Sequence, residues 1–247
     1  MPLDVLELRE FYHSPLGQQA ADILGAVLAE NRYQTPVLMV GYGAAAWQAG
    51  VKDFGNVIMA MPAQQGVMAW PHDAPNQALL MEEGQMPFAD QSFGSIIVIH
   101  ALEQSLRPHD LMAECARVLR PEGQMVVLVP HRRGLWAQFD HTPVGVGQPY
   151  SPRQLRQLCH GVDLTVTGYG SALFWPPCAW PFAQKYLLAI EKFLRRWLGA
   201  LGGVLIMKAT KQRFAPIQRA GHARRLLPPL GHLRPATGLP QHRAQHD

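Results

Sequence analysis

Residues 35–50 read TPVLMVGYGAAAWQAG, and the change of character inside this stretch decides the fold. The apolar run Val37 to Val40 stops at Gly41-Tyr42-Gly43, and the small residues Ala44, Ala45 and Ala46 follow. That pattern predicts a buried strand, a tight glycine turn and the start of a helix. Two glycines let the main chain turn sharply and allow a ligand to approach the backbone where a Cβ would collide. A small residue at Ala45 suits close packing of helix on strand. Taken alone, an ordinary buried strand ending in a glycine turn fits the same letters.

On the N-terminal side, the aromatic pair Phe11-Tyr12 precedes a helix start, with Ser14 as N-cap and Pro15 at the first helical position. Leu16, Ala20, Ile23, Leu24, Val27 and Leu28 recur at helical spacing, and the helix is expected to stop near Asn31. On the C-terminal side, a second apolar run, Val57 to Met61, ends at Pro62. Residues 66–70 fit either a third strand or a loop, and residues 78–81 form a short strand candidate. FGSIIVI at 93–99 is rich in β-branched residues and reads as a buried strand. A helix from about Pro108 buries Leu111, Met112, Cys115, Val118 and Leu119. Residues 120–123 are expected to turn, and QMVVLV at 124–129 gives another strand.

Strands alternating with helices predict a mostly parallel sheet covered on both faces, with ligands bound beyond the carboxyl ends of the strands. The residues to weigh therefore follow the strands: 41–43, 60–62, 81–85, 100–103 and 131–136. Farther on, Ser151-Pro152 caps a helix carrying Leu155, Leu158 and Cys159, and residues 163–168 and 203–208 supply two more strands. A helix expected at about 182–198 places Phe182, Tyr186, Ile190, Phe193 and Trp197 on one stripe, with Lys185, Lys192, Arg195 and Arg196 elsewhere. A basic amphipathic helix with tryptophans can rest on a membrane surface, whereas the commoner role of such a stripe is packing on its own sheet.

Composition sets the bounds. The chain has 247 residues, 48% hydrophobic and only 16% charged, enough apolar material for one large α/β domain. Cys115, Cys159 and Cys178 are odd in number and widely spaced, which argues against a disulfide framework or a zinc site and for a reducing compartment, the cytoplasm. Asp4, Glu7 and Glu10 near the start argue against a secretory signal. From Lys211 onward the charge balance is +6 within a total of +4, so a basic tail is joined to a near-neutral body. The expected division is a domain at 1–214 and a tail at 215–247 that reads as disordered. Phosphate attraction could bring the tail to nucleic acid, but no recognition module accompanies it.

The succession VLMVGYGAA, MPFADQSFGSIIVIHALEQ and LMAECARVLRPEGQMVVLVP resembles the class I S-adenosylmethionine-dependent methyltransferases, in the branch called methyltransferase type 11. The resemblance covers roughly residues 35–131. It implies a Rossmann-like, doubly wound, seven-stranded and mostly parallel sheet with an antiparallel edge strand, and S-adenosylmethionine as cofactor. It implies cofactor contacts at Gly41, Tyr42, Gly43, Ala45, Met61, Glu82, Gln85 and His100, with Glu82 flanking the adenine and His100 near the methyl-bearing end. Two positions depart from the family pattern. Met39 stands where the family has an acid in its first motif, and Met59-Ala60-Met61 closes the second strand where the family has Asp or Glu.

His100 and His131 are the candidates for proton chemistry, each equally readable as a histidine bonded to backbone at a strand end. Glu103 reads as a helix-start or cofactor-side carboxylate. Arg132 and Arg133 suit an anionic substrate, since the arginine fork matches carboxylate and phosphate. Tyr12, Trp136 and Tyr150 are candidate walls of a substrate pocket, and no metal site is expected. The expected function is methyl transfer to a small molecule. The alternative is a non-catalytic protein of the same fold acting as a regulatory or partner subunit.

Overall fold

The computed structural model describes residues 3–51, 56–178, 186–198 and 201–212. The chain divides into two compact units, Met1–Arg213 and Phe214–Asp247. The tail anticipated from 215 lies outside the described residues, as do Phe182 and Lys185 of the expected amphipathic helix.

The opening stretch forms β1 (Val37–Val40), which pairs in parallel with β2 (Val57–Pro62) on one side and β4 (Phe93–Ile99) on the other. With β3 (Ala78–Met81), β5 (Leu119–Pro130), β6 (Leu164–Ala172) and β7 (Val204–Lys211) the sheet runs β3-β2-β1-β4-β5-β7-β6. The reversed strand is β7, one in from the edge, antiparallel to both β5 and β6. Every residue of β1 and β4 is buried, as expected for central strands covered on both faces.

Side-chain alternation divides the core. Val37, Met39, Met59 and Ile97 point to the side covered by α1 (Val5–His13), α2 (Pro15–Ala29) and α3 (Ala44–Gly50). Leu38, Val40, Ile96 and Val98 point to the side covered by α4 (Pro108–Val118) and α5 (Pro152–His160). Ser14 caps α2 by accepting from Gly17 N at 3.0 Å, and Ser151 caps α5 in a reciprocal box with Gln154. The same device builds α1, a helix that apolar spacing did not reveal. Asp4 accepts from Glu7 N at 2.8 Å, and the Glu7 carboxylate accepts from Asp4 N at 3.0 Å.

Three other differences from expectation have local causes. Residues 66–70 are loop, and the whole crossover between β2 and β3 carries no helix. The turn expected at 120–123 lies inside β5: Leu119 still pairs with Phe93, the register slips before Ser95, and Glu122 at φ +65° absorbs the kink. The last helix, α6 (Leu187–Leu198), turns a polar side inward. Buried Glu191 accepts from Leu173 N at 2.6 Å and Phe174 N at 3.1 Å, while Tyr186, Phe193 and Trp197 face outward. The aromatic stripe is thus not the surface that packs on the sheet. No helix among the described residues is long and apolar enough to cross a membrane.

Candidate cofactor and active site

The glycine turn sits at the carboxyl end of β1, with Gly41 N donating to Ala60 O at 2.8 Å. Gly41 has φ +88°, and a Cβ there would collide with the Ile99 carbonyl oxygen; a Cβ on Gly43 would collide with Met39 Sδ. Both glycines are therefore required by packing within the chain. Met39, at the position where the resemblance calls for an acid, fills the space beside Gly43 with its own thioether.

Against this turn lies a cavity of about 500 Å³, lined by Tyr42, Ala44, Ala45 and Gln48 from the turn and α3 and by Tyr12 and Asp22 from α1 and α2. Met59 forms its floor, and Met68, Trp70 and His72 close it from the helix-free crossover. The volume lies in the range of small-molecule and cofactor sites, and aromatic and thioether walls with a few polar groups are the usual lining. Burial raises the Asp22 carboxyl above its ordinary value.

Tyr12 leads from the cavity into a buried polar chain. Its ring lies 5.9 Å from that of Tyr42 and 5.7 Å from that of His100, and its hydroxyl is 2.7 Å from His100 Nε2. Burial, with smaller contributions from Tyr42 and Glu103, holds the Tyr12 hydroxyl far above its ordinary pKa, so the group stays protonated. On the other side of the ring, His100 Nδ1 lies 3.1 Å from Glu103 Oε1. His100 itself has φ +53°, an uncommon conformation for a residue with a side chain. It is held there by three contacts: Tyr12, Glu103, and Gln65 Nε2 donating to its carbonyl at 2.6 Å. A conformation of this kind costs about 1–3 kcal/mol and persists where its surroundings over-determine it, as at functional sites. Two buried acceptors of the cluster, Glu103 Oε2 and Gln65 Oε1, have no hydrogen-bond partner among the described residues. A void of about 10 Å³ beside His100 and Glu103 has room for roughly one water.

The residues singled out from the sequence fall into separate places. Tyr12, Tyr42 and Ala45 line the cavity, Gly41 and Gly43 flank Tyr42 in the turn without lining it, and His100 joins it through Tyr12. Met61 is fully buried in the core, and Glu82 and Gln85 pair with each other across an exposed turn. His131 is buried, 3.1 Å from Gly202 O, and with Arg133 borders a different depression of about 290 Å³ between β5, β6 and α5. Arg132 is exposed. Trp136 and Tyr150 are buried, their polar atoms donating to Trp175 O and Leu102 O. Glu103 is buried beside His100, ahead of α4 and outside it. Gln65, Met68 and Trp70 were not anticipated; the one signal for them is the irregular, helix-free composition between β2 and β3.

A seven-stranded sheet in this order, with a glycine turn after β1 and a cavity against it, defines a class I methyltransferase fold. Residues 38–127 match the family described as methyltransferase domain, of the type 11 branch. No curated protein matches the sequence. Among solved structures, the chain is similar to an S-adenosylmethionine-dependent methyltransferase from Thermotoga maritima described as a possible histamine N-methyltransferase. The TM-score is 0.57 at 14% identity, over 84% of this chain and 96% of that one. It is also similar to a methyltransferase from Haloferax volcanii in complex with the Trm112 methyltransferase activator, with TM-score 0.54, 16% identity and the same coverage. A third is an S-adenosylmethionine-dependent methyltransferase from Archaeoglobus fulgidus, with TM-score 0.52 at 14% identity over 83% of this chain and 98% of that one.

S-adenosylmethionine is the cofactor this family indicates. The cavity fits it in volume and in its aromatic and thioether walls. The ribose diol has no carboxylate waiting on β2, because Met59, Ala60 and Met61 are fully buried and apolar. Arg9, His13, Gln18, Asp22, Gln48 and His72 are polar groups the cavity offers instead.

Proposed function

We propose that this protein transfers the methyl group of S-adenosylmethionine to a small-molecule acceptor, with the cofactor held in the cavity at the glycine turn. The observation that carries this reading is the continuity of that cavity, through Tyr12, with the buried His100–Glu103 pair. S-adenosylmethionine supplies an electrophilic methyl on a sulfonium, so the protein's task is alignment and exclusion of water. Tyr42, Ala44 and Ala45 form the wall nearest the turn, and Met68 and Trp70 enclose the apolar part. The proton released by the acceptor passes to Tyr12 Oη as the Tyr12 proton moves to His100 Nε2. Glu103 Oε1, on the far side of the ring, stabilises the charge that results.

A second reading has its own observation. Met39 packs beside Gly43 and no acid ends β2, which favours a non-catalytic subunit of the same fold. The Haloferax protein similar to this chain is in complex with a methyltransferase activator, which supports looking for a protein partner.

Calorimetric titration with S-adenosylmethionine and S-adenosylhomocysteine tests the first reading. Micromolar binding of both is expected, and Ala45→Trp, which fills the cavity, is expected to weaken it at least about tenfold, roughly 1.4 kcal/mol. A folded protein that gives no heat with either ligand would overturn the enzyme and leave the partner reading.

A further inference from the structure

We propose that the outer face of α6 docks on an anionic phospholipid surface. The observation is the way the helix is mounted. It is tied to the body by polar groups: Glu191 takes the amides of Leu173 and Phe174, and Arg195 forks onto Glu30, the C-cap of α2, at 2.7 and 3.2 Å. That mounting leaves the aromatic stripe unused. Tyr186, Phe193 and Trp197 are 60%, 62% and 72% exposed, and Leu188 is 42% exposed. At about 100° per residue, Tyr186, Phe193 and Trp197 fall within an arc of roughly 40°. The Phe193 and Trp197 rings lie side by side, 6.4 Å between centroids.

Charge selects the occupant. The only acid of α6, Glu191, is turned into the protein, while Lys192 and Arg196 are exposed beside the stripe. An anionic leaflet takes both the aromatics and the flanking cations. Tyrosine and tryptophan sit at headgroup depth, and lysine and arginine reach the phosphates. Each such cation near an anionic surface contributes on the order of a fewfold in affinity. The helix is 12 residues long and therefore lies in the interface without spanning it. This inference does not depend on the reaction the domain catalyses.

Flotation of the full chain with vesicles of phosphatidylcholine, with and without phosphatidylserine, tests it. Binding is expected to the anionic vesicles only, to fall with added salt, and to weaken at least about tenfold in Phe193→Ser/Trp197→Ser and in Lys192→Glu/Arg196→Glu. These positions are exposed, so circular dichroism and urea unfolding of the variants should match the parent. Absence of binding to anionic vesicles would overturn the proposal. So would binding unchanged in the Phe193→Ser/Trp197→Ser variant, which would assign it to the basic tail. A concentration-dependent dimer abolished by that same variant would overturn it in favour of a second copy of the chain.

Discussion

Tyr12 is the residue on which the site turns, because it belongs both to the cavity wall and to the buried chain behind it. Tyr12→Phe keeps the ring packed against Tyr42 but leaves His100 Nε2 buried without its partner. A buried polar group stripped of its partner costs about 1–3 kcal/mol, which urea unfolding is expected to show as a lower midpoint with an unchanged slope. His131 carries a pH dependence of its own. Burial, reinforced by Arg133 and opposed by the Gly202 carbonyl, pulls its pKa below the ordinary value. The unfolded chain therefore binds a proton at a pH where the folded protein does not. Stability is complete above about pH 6.5 and declines as pH falls through the window down to the lowered folded value. His131→Gln, whose amide can still donate to Gly202, is expected to flatten that part of the unfolding profile without changing stability near neutrality.

At the scale of elements, α6 is tied to the body by Glu191 and Arg195. Burial raises the Glu191 carboxyl, while the amides of Phe174 and Leu173 pull it the other way, a sign that its two bonds are made at a desolvation cost. Glu191→Ala leaves both amides without an acceptor and is expected to release the helix, seen as proteolysis between β6 and β7 and a loss of about 1–3 kcal/mol. Glu191→Gln keeps one acceptor oxygen and is expected to fall between the two. The crossover from β2 to β3 shows the complementary case. Where a helix would cover the sheet face, a loop bearing Met68 and Trp70 does so, and the space between that loop and α3 becomes the cavity.

For the molecule as a whole, a ligand that binds only the folded state raises its stability by mass action. At a hundredfold excess of S-adenosylmethionine over its dissociation constant, the gain is expected to be about 2.7 kcal/mol. For a domain of this size each kcal/mol moves the melting temperature by about 2–4 °C, so a thermal scan resolves it. Ala45→Trp is expected to melt normally and to lose most of the shift.

The order of strands and helices was legible in the sequence because its causes are local. VLMV and FGSIIVI are uninterrupted apolar runs since both faces of a central strand are covered, and Ser14-Pro15 and Ser151-Pro152 mark helix starts with their own side chains. Even α1 was written locally, in the Asp4–Glu7 box, though apolar spacing passed over it. The glycine turn was likewise legible as a turn, but the reason for its glycines was not: Met39 and Ile99, rather than a ligand, fill the space where a Cβ would stand. The tertiary structure alone decided which side chains meet. Tyr12 and His100 lie 88 positions apart, and only the placing of α1 over the end of β4 brings hydroxyl and imidazole to 2.7 Å. It also decided which side of α6 turns inward, because two unpaired amides at the end of β6 claim Glu191 and leave the aromatic stripe facing out. Periodicity records what each segment can bury, and the sheet order and the unsatisfied backbone groups it creates decide what each segment does bury.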